Sequence, residues 1–97
     1  MEMYVKINDV LPLEQHTYED KNGQPQIFKH KGFVLHNGNN AFYCEAKGRY
    51  AETLETREFS TTLWHVADFN ISIRRYTDGN GNERIVNEIE LQRLNVV

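Results

Sequence analysis

Hydrophobic and polar residues alternate with a period of two along most of the chain, a pattern typical of half-buried β-strands. In the N-terminal stretch, Met3, Val5 and Ile7 alternate with polar neighbours. This first strand is predicted to continue to Leu13 with an irregularity at Pro12, because proline has no N–H to donate to a sheet ladder. A polar segment containing the turn-forming pair Asn-Gly then separates it from the second strand.

The second predicted strand lies in QIFKHKGFVLH and contains a change of phase. Before Gly32 the inward positions are Phe28 and His30, and after it they are Phe33 and Leu35. A glycine at such a change suggests a β-bulge, in which one extra residue bends the strand. Strongly bent strands are what a small closed barrel requires.

A third strand and a helix follow the turn at Asn-Gly-Asn-Asn. The third strand is predicted in AFYCEAKG, with Cys44 and Ala46 on its inward face. The segment RYAETLETREF lacks proline and glycine and places Tyr50, Leu54 and Phe59 on one helical side. It is predicted to form a helix of about three turns.

Two further strands complete the pattern. One runs from about Leu63 to Tyr76, the other begins near Ile85, and the turn TDGNGN joins them. The last strand is expected to change phase near Gln92. The inward residues predicted on these two strands are Leu63, Ala67, Phe69, Ile71, Ile73, Ile85, Ile89, Leu91, Leu94 and Val96.

The predicted order of elements is β-β-β-α-β-β. This is the plan of an OB-fold, a mainly β, five-stranded Greek-key barrel with one short helix between strands three and four. A half-open α+β sheet built from the same strands is the alternative. At 97 residues the chain can close one hydrophobic core but not two, so residues 1–97 are predicted to form a single domain.

Composition indicates a cytoplasmic protein. No window approaches the roughly 18 consecutive apolar residues that a membrane-spanning helix needs. The N-terminal stretch MEMYVKINDV lacks the apolar run of an export signal. The single cysteine, Cys44, excludes an internal disulfide and is expected to be a small buried hydrophobic residue, so no oxidising compartment is needed.

The net charge of −3 hides an uneven distribution. Residues 21–49 carry an excess of lysine and arginine, whereas the segments on either side are acidic and the C-terminal part is balanced. A basic region of this kind can bind an anion without making the whole protein bind nucleic acid indiscriminately.

Binding of single-stranded nucleic acid requires cations along a groove and aromatic faces that accept bases. If Gly32 marks a bulge, Lys29 and Lys31 lie on the outer face of strand two, and strand parity places Arg74 and Tyr76 outward on strand four. The opposing interpretation is an ordinary solvated exterior, and Glu45 weakens a phosphate track. The predicted binding residues are Lys29, Lys31, Tyr43, Lys47, Arg49, Arg74, Arg75 and Tyr76.

Two motifs resemble the single-stranded DNA-binding proteins of bacteria. GRYAE, Gly48 to Glu52, is similar to the step that leads from strand three into the helix in that family. RRYTDGNGNERIVNEIEL, Arg74 to Leu91, resembles the family's Arg-Lys-aromatic-Thr-Asp hairpin and its return strand. The two motifs are separated by nearly the family's usual distance. The resemblance covers the C-terminal half, and the N-terminal half only as a strand pattern.

The resemblance implies a short, single-domain member without the acidic C-terminal tail, binding single-stranded DNA in preference to RNA. It implies that Tyr76 stacks on a base beside the cations Arg74 and Arg75. Lys47 and Ala41 stand where the family has aromatic residues, and Tyr43 and Phe28 are close enough in sequence to replace them. A dimer or tetramer is expected, so that several weak sites act together.

Chemistry of other kinds is not predicted. The histidines are scattered, and no nucleophile, second carboxylate or phosphate loop accompanies them, so neither catalysis, a metal nor a cofactor is expected. Trp64 is predicted at a barrel end or a subunit contact. The alternative function is an OB-fold module for protein interaction or self-assembly. Four phenylalanines are predicted to be in the core more readily than to act as stacking platforms: Phe28, Phe33, Phe42 and Phe69.

Overall fold

The computed structural model describes residues 1–97 and contains the predicted order of elements. One helix stands between the third and fourth of five strands. No helix in the structure has the length and apolar character needed to cross a membrane. The elements are β1 (Glu2–Glu19), β2 (Pro25–His36), β3 (Ala41–Lys47), α1 (Gly48–Glu55), β4 (His65–Thr77) and β5 (Glu83–Val96).

The five strands close into a ring in the order β1-β2-β3-β5-β4. β1 pairs with β2 along most of its length and with β4 through Glu2–Val5, and both pairings are antiparallel. The ring is completed where β3 meets β5 in parallel, with Glu45 opposite Glu90. The predicted mainly β architecture is therefore confirmed, and the sheet is not half-open.

The core fills the ring and is closed at one end by α1. The buried residues of α1 are Ala51 and Leu54, which lie one helical turn apart. Tyr50 fastens the helix to β5, because its hydroxyl accepts the Leu94 N–H at 2.7 Å. The twelve core residues are Val5, Ile7, Phe33, Leu35, Cys44, Ala46, Ala51, Leu54, Ala67, Phe69, Leu91 and Leu94. Period-two alternation predicts the strand members of this list.

Two predicted irregularities are confirmed. The β1–β2 register shifts between Val10 and Leu13, around Pro12, as a missing N–H requires. The β4–β5 register shifts because Asp68 pairs with Arg93 and Phe69 pairs with Leu91, which leaves Gln92 as the extra residue of a bulge. This bulge allows Leu91 and Leu94 to face the same core.

The prediction of a β-bulge at Gly32 is wrong. The β2–β3 pairing runs through this position without a shift, so Lys31, Phe33 and Leu35 share the inward face and are all buried. Lys31 therefore does not lie on the outer face. A glycine is favoured at this position for a different reason. A Cβ at Gly32 would lie 2.5 Å from the Tyr43 hydroxyl, so only a residue without a side chain leaves room for the Tyr43 ring.

The helix is shorter than predicted and ends at Glu55. The chain tightens there, since Arg57 N–H donates to the Leu54 carbonyl at 3.1 Å. The Arg57 guanidinium donates to the Leu94 carbonyl on β5 at 3.0 Å, which draws the chain away from the helix axis. Phe59 still reaches the core through an edge contact with Phe33, with ring centroids 5.4 Å apart.

Two hairpin arms extend beyond the core. The first arm is residues 14–30 of β1 and β2, and the second arm is residues 70–90 of β4 and β5. Ile71, Ile73 and Ile85 were predicted inward, but they are 50%, 56% and 55% exposed because nothing packs on that face of the second arm. The inward predictions for Leu63, which precedes β4, and Val96 are also wrong, since both are exposed.

Both arms end in the same turn, DKNGQ in the first and DGNGN in the second. In each, the leading carboxylate, Asp20 or Asp78, accepts the backbone N–H groups two and four residues later at 2.9 to 3.0 Å. The glycines Gly23 and Gly81 have φ of 73° and 82°, the left-handed region that glycine adopts without strain. These backbone hydrogen bonds hold the pKa of Asp20 below its ordinary 3.8. The pKa of Asp78 is lowered too, chiefly by the hydrogen bond from the Arg84 guanidinium.

Candidate functional site

A groove of about 550 Å³ runs between the two arms and over the outer face of β3. Every strand contributes to it, because the arms rise on either side of the point where the ring closes. We call it the arm groove. It is lined by His16, Phe28 and His30 of the first arm, Tyr43, Glu45 and Lys47 of β3, and Arg74, Val86, Asn87, Glu88 and Ile89 of the second arm.

The floor of the arm groove consists of the outward residues of β3. Tyr43, Glu45 and Lys47 alternate there with the buried Cys44 and Ala46, as the sequence predicts. Partial burial raises the pKa of the Tyr43 hydroxyl, and the carboxylate of Glu45 raises it further. The phenol therefore stays neutral and presents a ring face and an O–H group to the groove.

Aromatic rings form the wall on the side of the first arm. His16 lies opposite Phe28 across the β1–β2 pair, so both side chains point to the same face. The His30 ring lies next to both, with its centroid 5.8 Å from that of Phe28 and 5.0 Å from that of His16. Phe28 is thus outside the core, although it was predicted to be in the core, whereas Phe33 and Phe69 are buried and Phe42 is half-buried.

The two histidines of this wall also meet edge to edge. The His16 Nε2 and His30 Nε2 atoms are 2.9 Å apart, and Glu14 Oε2 lies 3.5 Å from the latter. On the other side of the ring, the buried His30 Nδ1 has no aligned hydrogen-bond partner. Glu45 Oε2 lies only 2.5 Å from it, so that contact is electrostatic.

The sequence pattern predicts scattered histidines, and that prediction is wrong for His16 and His30. A signal was present in the hairpin itself. If residues 14–30 fold symmetrically about Asn22, then Glu14 falls opposite His30, and His16 falls opposite Phe28, which is the register observed.

The opposite wall carries part of the predicted hairpin site. Arg74 lines the groove, donates to Glu88 Oε1 at 2.6 Å and covers the Tyr76 ring at 5.2 Å from its centroid. Arg75 lies on the other face of the arm, across from Ile85, and its guanidinium is 3.3 Å from Glu83. The predicted outward pair Arg74 and Tyr76 thus stays together, while Arg75 is separated from it.

The predicted lysines of β2 face the helix and not the groove. Lys29 Nζ lies 2.5 Å from Glu52, and Lys31 Nζ lies 2.5 Å from Glu55 and donates to the Leu11 carbonyl at 2.8 Å. Lys31 is only 6% exposed. These two cations hold α1 against the ring and are unavailable to a ligand in the arm groove.

Among the remaining predicted cations, Lys47 lines the groove and Arg49, on α1, does not. Neither is paired with a carboxylate. The predicted set of eight residues therefore divides: Tyr43, Lys47 and Arg74 line the groove, Tyr76 lies beside Arg74, and the other four lie elsewhere.

Trp64 lies just before β4 and is partly exposed, with the Lys6 ammonium 5.1 Å from the ring centroid. It does not line the groove. No protein-family model matches this sequence, and no curated protein matches it. What the arm groove binds must therefore be inferred from its own side chains.

Proposed function

We propose that this protein is an OB-fold domain that binds single-stranded nucleic acid, non-catalytically, in the arm groove. Support for the fold comes from the ring order β1-β2-β3-β5-β4 and from the helix between β3 and β4. OB-folds bind oligonucleotides on the face of strands two and three, between the loops that join strands one to two and four to five. The observation that carries the proposal is an aromatic-lined groove at that position.

Stacking supplies most of the proposed affinity. Phe28 and Tyr43 present ring faces on the wall and the floor, and Tyr76 extends the opposite wall. A base stacked on an aromatic side chain contributes about 1–3 kcal/mol. These platforms also replace the aromatic residues that Ala41 and Lys47 do not provide.

Electrostatics contributes less, because carboxylates share the groove. Lys47 is unpaired, whereas Arg74 is already bound to Glu88, and Glu45 lies on the floor. With at most two phosphates neutralised, the affinity falls with salt with a logarithmic slope of about −1.4, which is about sevenfold between 50 and 200 mM salt. We therefore expect weak, stacking-dominated binding with shallow salt dependence.

Titration of a fluorescein-labelled oligothymidine of about 16 nucleotides, followed by anisotropy at two salt concentrations, tests the proposal. Tyr43→Ala or Phe28→Ala should each weaken binding about 5- to 150-fold. Lys47→Ala should reduce the salt slope by about 0.7. Arg49→Ala, a neighbouring cation outside the groove, and Tyr4→Ala, an exposed tyrosine on β1, are the matched controls and should bind as the wild type does.

If the unmodified protein does not bind the oligothymidine even at low salt, the proposal is wrong. Equal losses from Lys47→Ala and Arg49→Ala would also contradict it, because binding would then follow net charge and not the groove.

A second candidate, self-assembly without nucleic-acid binding, is favoured by one observation. The face of the second arm opposite to Arg74 carries Ile71, Ile73 and Ile85, each at least half exposed. A two-stranded hairpin is marginally stable in water unless something packs on its apolar face. A second copy of the chain, placed by a two-fold axis so that the stripes meet, would cover these side chains.

Sedimentation velocity distinguishes the two candidates. The wild type should form a dimer or tetramer whose association does not change with salt, and Ile73→Asp should give a monomer. Ser72→Asp, one residue away on the opposite face, is the control and should leave the assembly intact. A wild type that stays monomeric at high concentration removes this candidate.

A further inference from the structure

Three potential metal ligands converge on the first-arm wall. Glu14, His16 and His30 each offer one donor atom, and these atoms all lie within 4.8 Å of one another. We infer that they bind one divalent first-row transition-metal ion, with Zn²⁺ as the physiological choice. Two imidazoles and a single carboxylate suit Zn²⁺, whereas Ca²⁺ and Mg²⁺ require shells made of oxygen.

Two of the three distances between donor atoms fit such an ion. Two nitrogens that each bind Zn²⁺ at about 2.05 Å and lie 2.9 Å apart subtend about 90° at the metal. The 3.5 Å between Glu14 Oε2 and His30 Nε2 corresponds to about 115°. Tetrahedral geometry needs about 3.3 Å between the nitrogens. The exposed His16 ring therefore has to move away from His30 Nε2 by about 0.4 Å and to turn so that both Nε2 lone pairs meet at the metal.

Glu45 provides the outer partner that metal-binding histidines require. Its Oε2 lies 2.5 Å from His30 Nδ1, and this negative charge favours the ring proton on Nδ1, which leaves the Nε2 lone pair for the metal. Carboxylate–histidine–zinc arrangements of this kind fix the tautomer and the orientation of the ring. Such an arrangement would also give a function to the buried His30 Nδ1 atom, which has no aligned hydrogen-bond partner.

The site has three protein ligands and so retains an open coordination position. Two of the ligands, His16 and His30, line the arm groove, so the metal would lie beside the groove and its open position would hold water. Without a metal, the contact between His16 Nε2 and His30 Nε2 is a hydrogen bond, in which one nitrogen donates a proton and the other accepts it. Only the metal requires both nitrogens to present lone pairs to the same point.

Isothermal titration of the metal-free full-length chain with Zn²⁺ tests this inference with no nucleic acid present, so its result is independent of the proposed function. One equivalent should bind, and the Co²⁺ derivative should show visible absorption bands. His16→Ala should abolish binding, and because this side chain is exposed, the variant should remain folded. Glu45→Gln should weaken binding about 10- to 100-fold. His36→Ala, on the same strand as His30 but outside the cluster, should bind as the wild type does.

Failure of the wild type to bind Zn²⁺ at neutral pH would overturn the site. So would one-to-one binding that persists in His16→Ala, or binding lost equally in His36→Ala, because the ion would then lie elsewhere. Binding of Mg²⁺ with comparable affinity would also contradict the assigned class of metal.

Discussion

Replacement of Gly32 by alanine probes the contact on which the groove floor is built. The new Cβ would lie 2.5 Å from the Tyr43 hydroxyl oxygen, 2.7 Å from Tyr43 Cε2 and 2.9 Å from Leu11 Cδ1. All three distances are well inside van der Waals contact, so these atoms must move. They are the ends of side chains, and Tyr43 can move only outward, into the arm groove, because Gly32 is buried beneath it.

The expected cost follows from overpacking, which lowers the free energy of unfolding by about 1–3 kcal/mol. Two of the three close contacts belong to Tyr43, so the cost should largely disappear when that ring is removed. In a double-mutant cycle, Gly32→Ala should be at least about 1 kcal/mol less destabilising in a Tyr43→Ala background than in the wild type. Urea denaturation monitored by circular dichroism measures all four corners of the cycle.

Gly79→Ala is the matched control. Gly79 lies in the turn of the second arm, and a Cβ there would meet nothing within 4 Å. Gly79→Ala should change the free energy of unfolding by no more than about 0.5 kcal/mol. If Gly32→Ala is neutral, or if its cost is the same with and without Tyr43, the ring does not rest on Gly32 and the proposed groove floor is wrong.

Two further predictions concern buried groups. Glu55→Gln should lower the free energy of unfolding by about 1–3 kcal/mol, since it leaves the buried Lys31 ammonium with only the Leu11 carbonyl. Glu52→Gln, which breaks a more exposed pair on the same helix, should cost less than about 1 kcal/mol. If urea denaturation gave the same loss of unfolding free energy for Glu55→Gln and Glu52→Gln, the burial of Lys31 would be contradicted. Burial raises the pKa of the Cys44 thiol to about 12. This thiol should therefore react with Ellman's reagent at neutral pH only when the protein unfolds. Fast labelling of the folded protein would show that β3 opens.

Local pattern determines much of the ring. A side chain on a strand points to one face or the other, so alternation alone predicts Val5, Ile7, Cys44 and Ala46 as inward residues, and all four are buried. The bulge at Gln92 was predictable for the same reason, because two inward residues cannot be an odd number of positions apart without an extra residue between them. The element order needed no tertiary information.

Parity does not determine whether anything packs on a face. Ile71 and Ile73 continue the inward stripe of β4, yet they are exposed because the strand extends beyond the ring. Lys31 is a different case: the bulge predicted at Gly32 implied an outer position, but the unbroken alternation of β2 turns Lys31 toward α1, where Glu55 pairs with it. For the two isoleucines, the length of the opposing layer decided the outcome.

Local pattern in the sequence specifies five strands, one helix and the residue types that stack or carry charge. Which of these residues meet depends on the tertiary structure. Tyr43 and Arg74 belong to strands that are distant in the chain and share a groove because the ring closes between them. His16 and His30 touch because one hairpin register sets them on neighbouring positions of one face. Alternation reports the face of a single strand, whereas a site depends on pairing register and closure, which are properties of strands together.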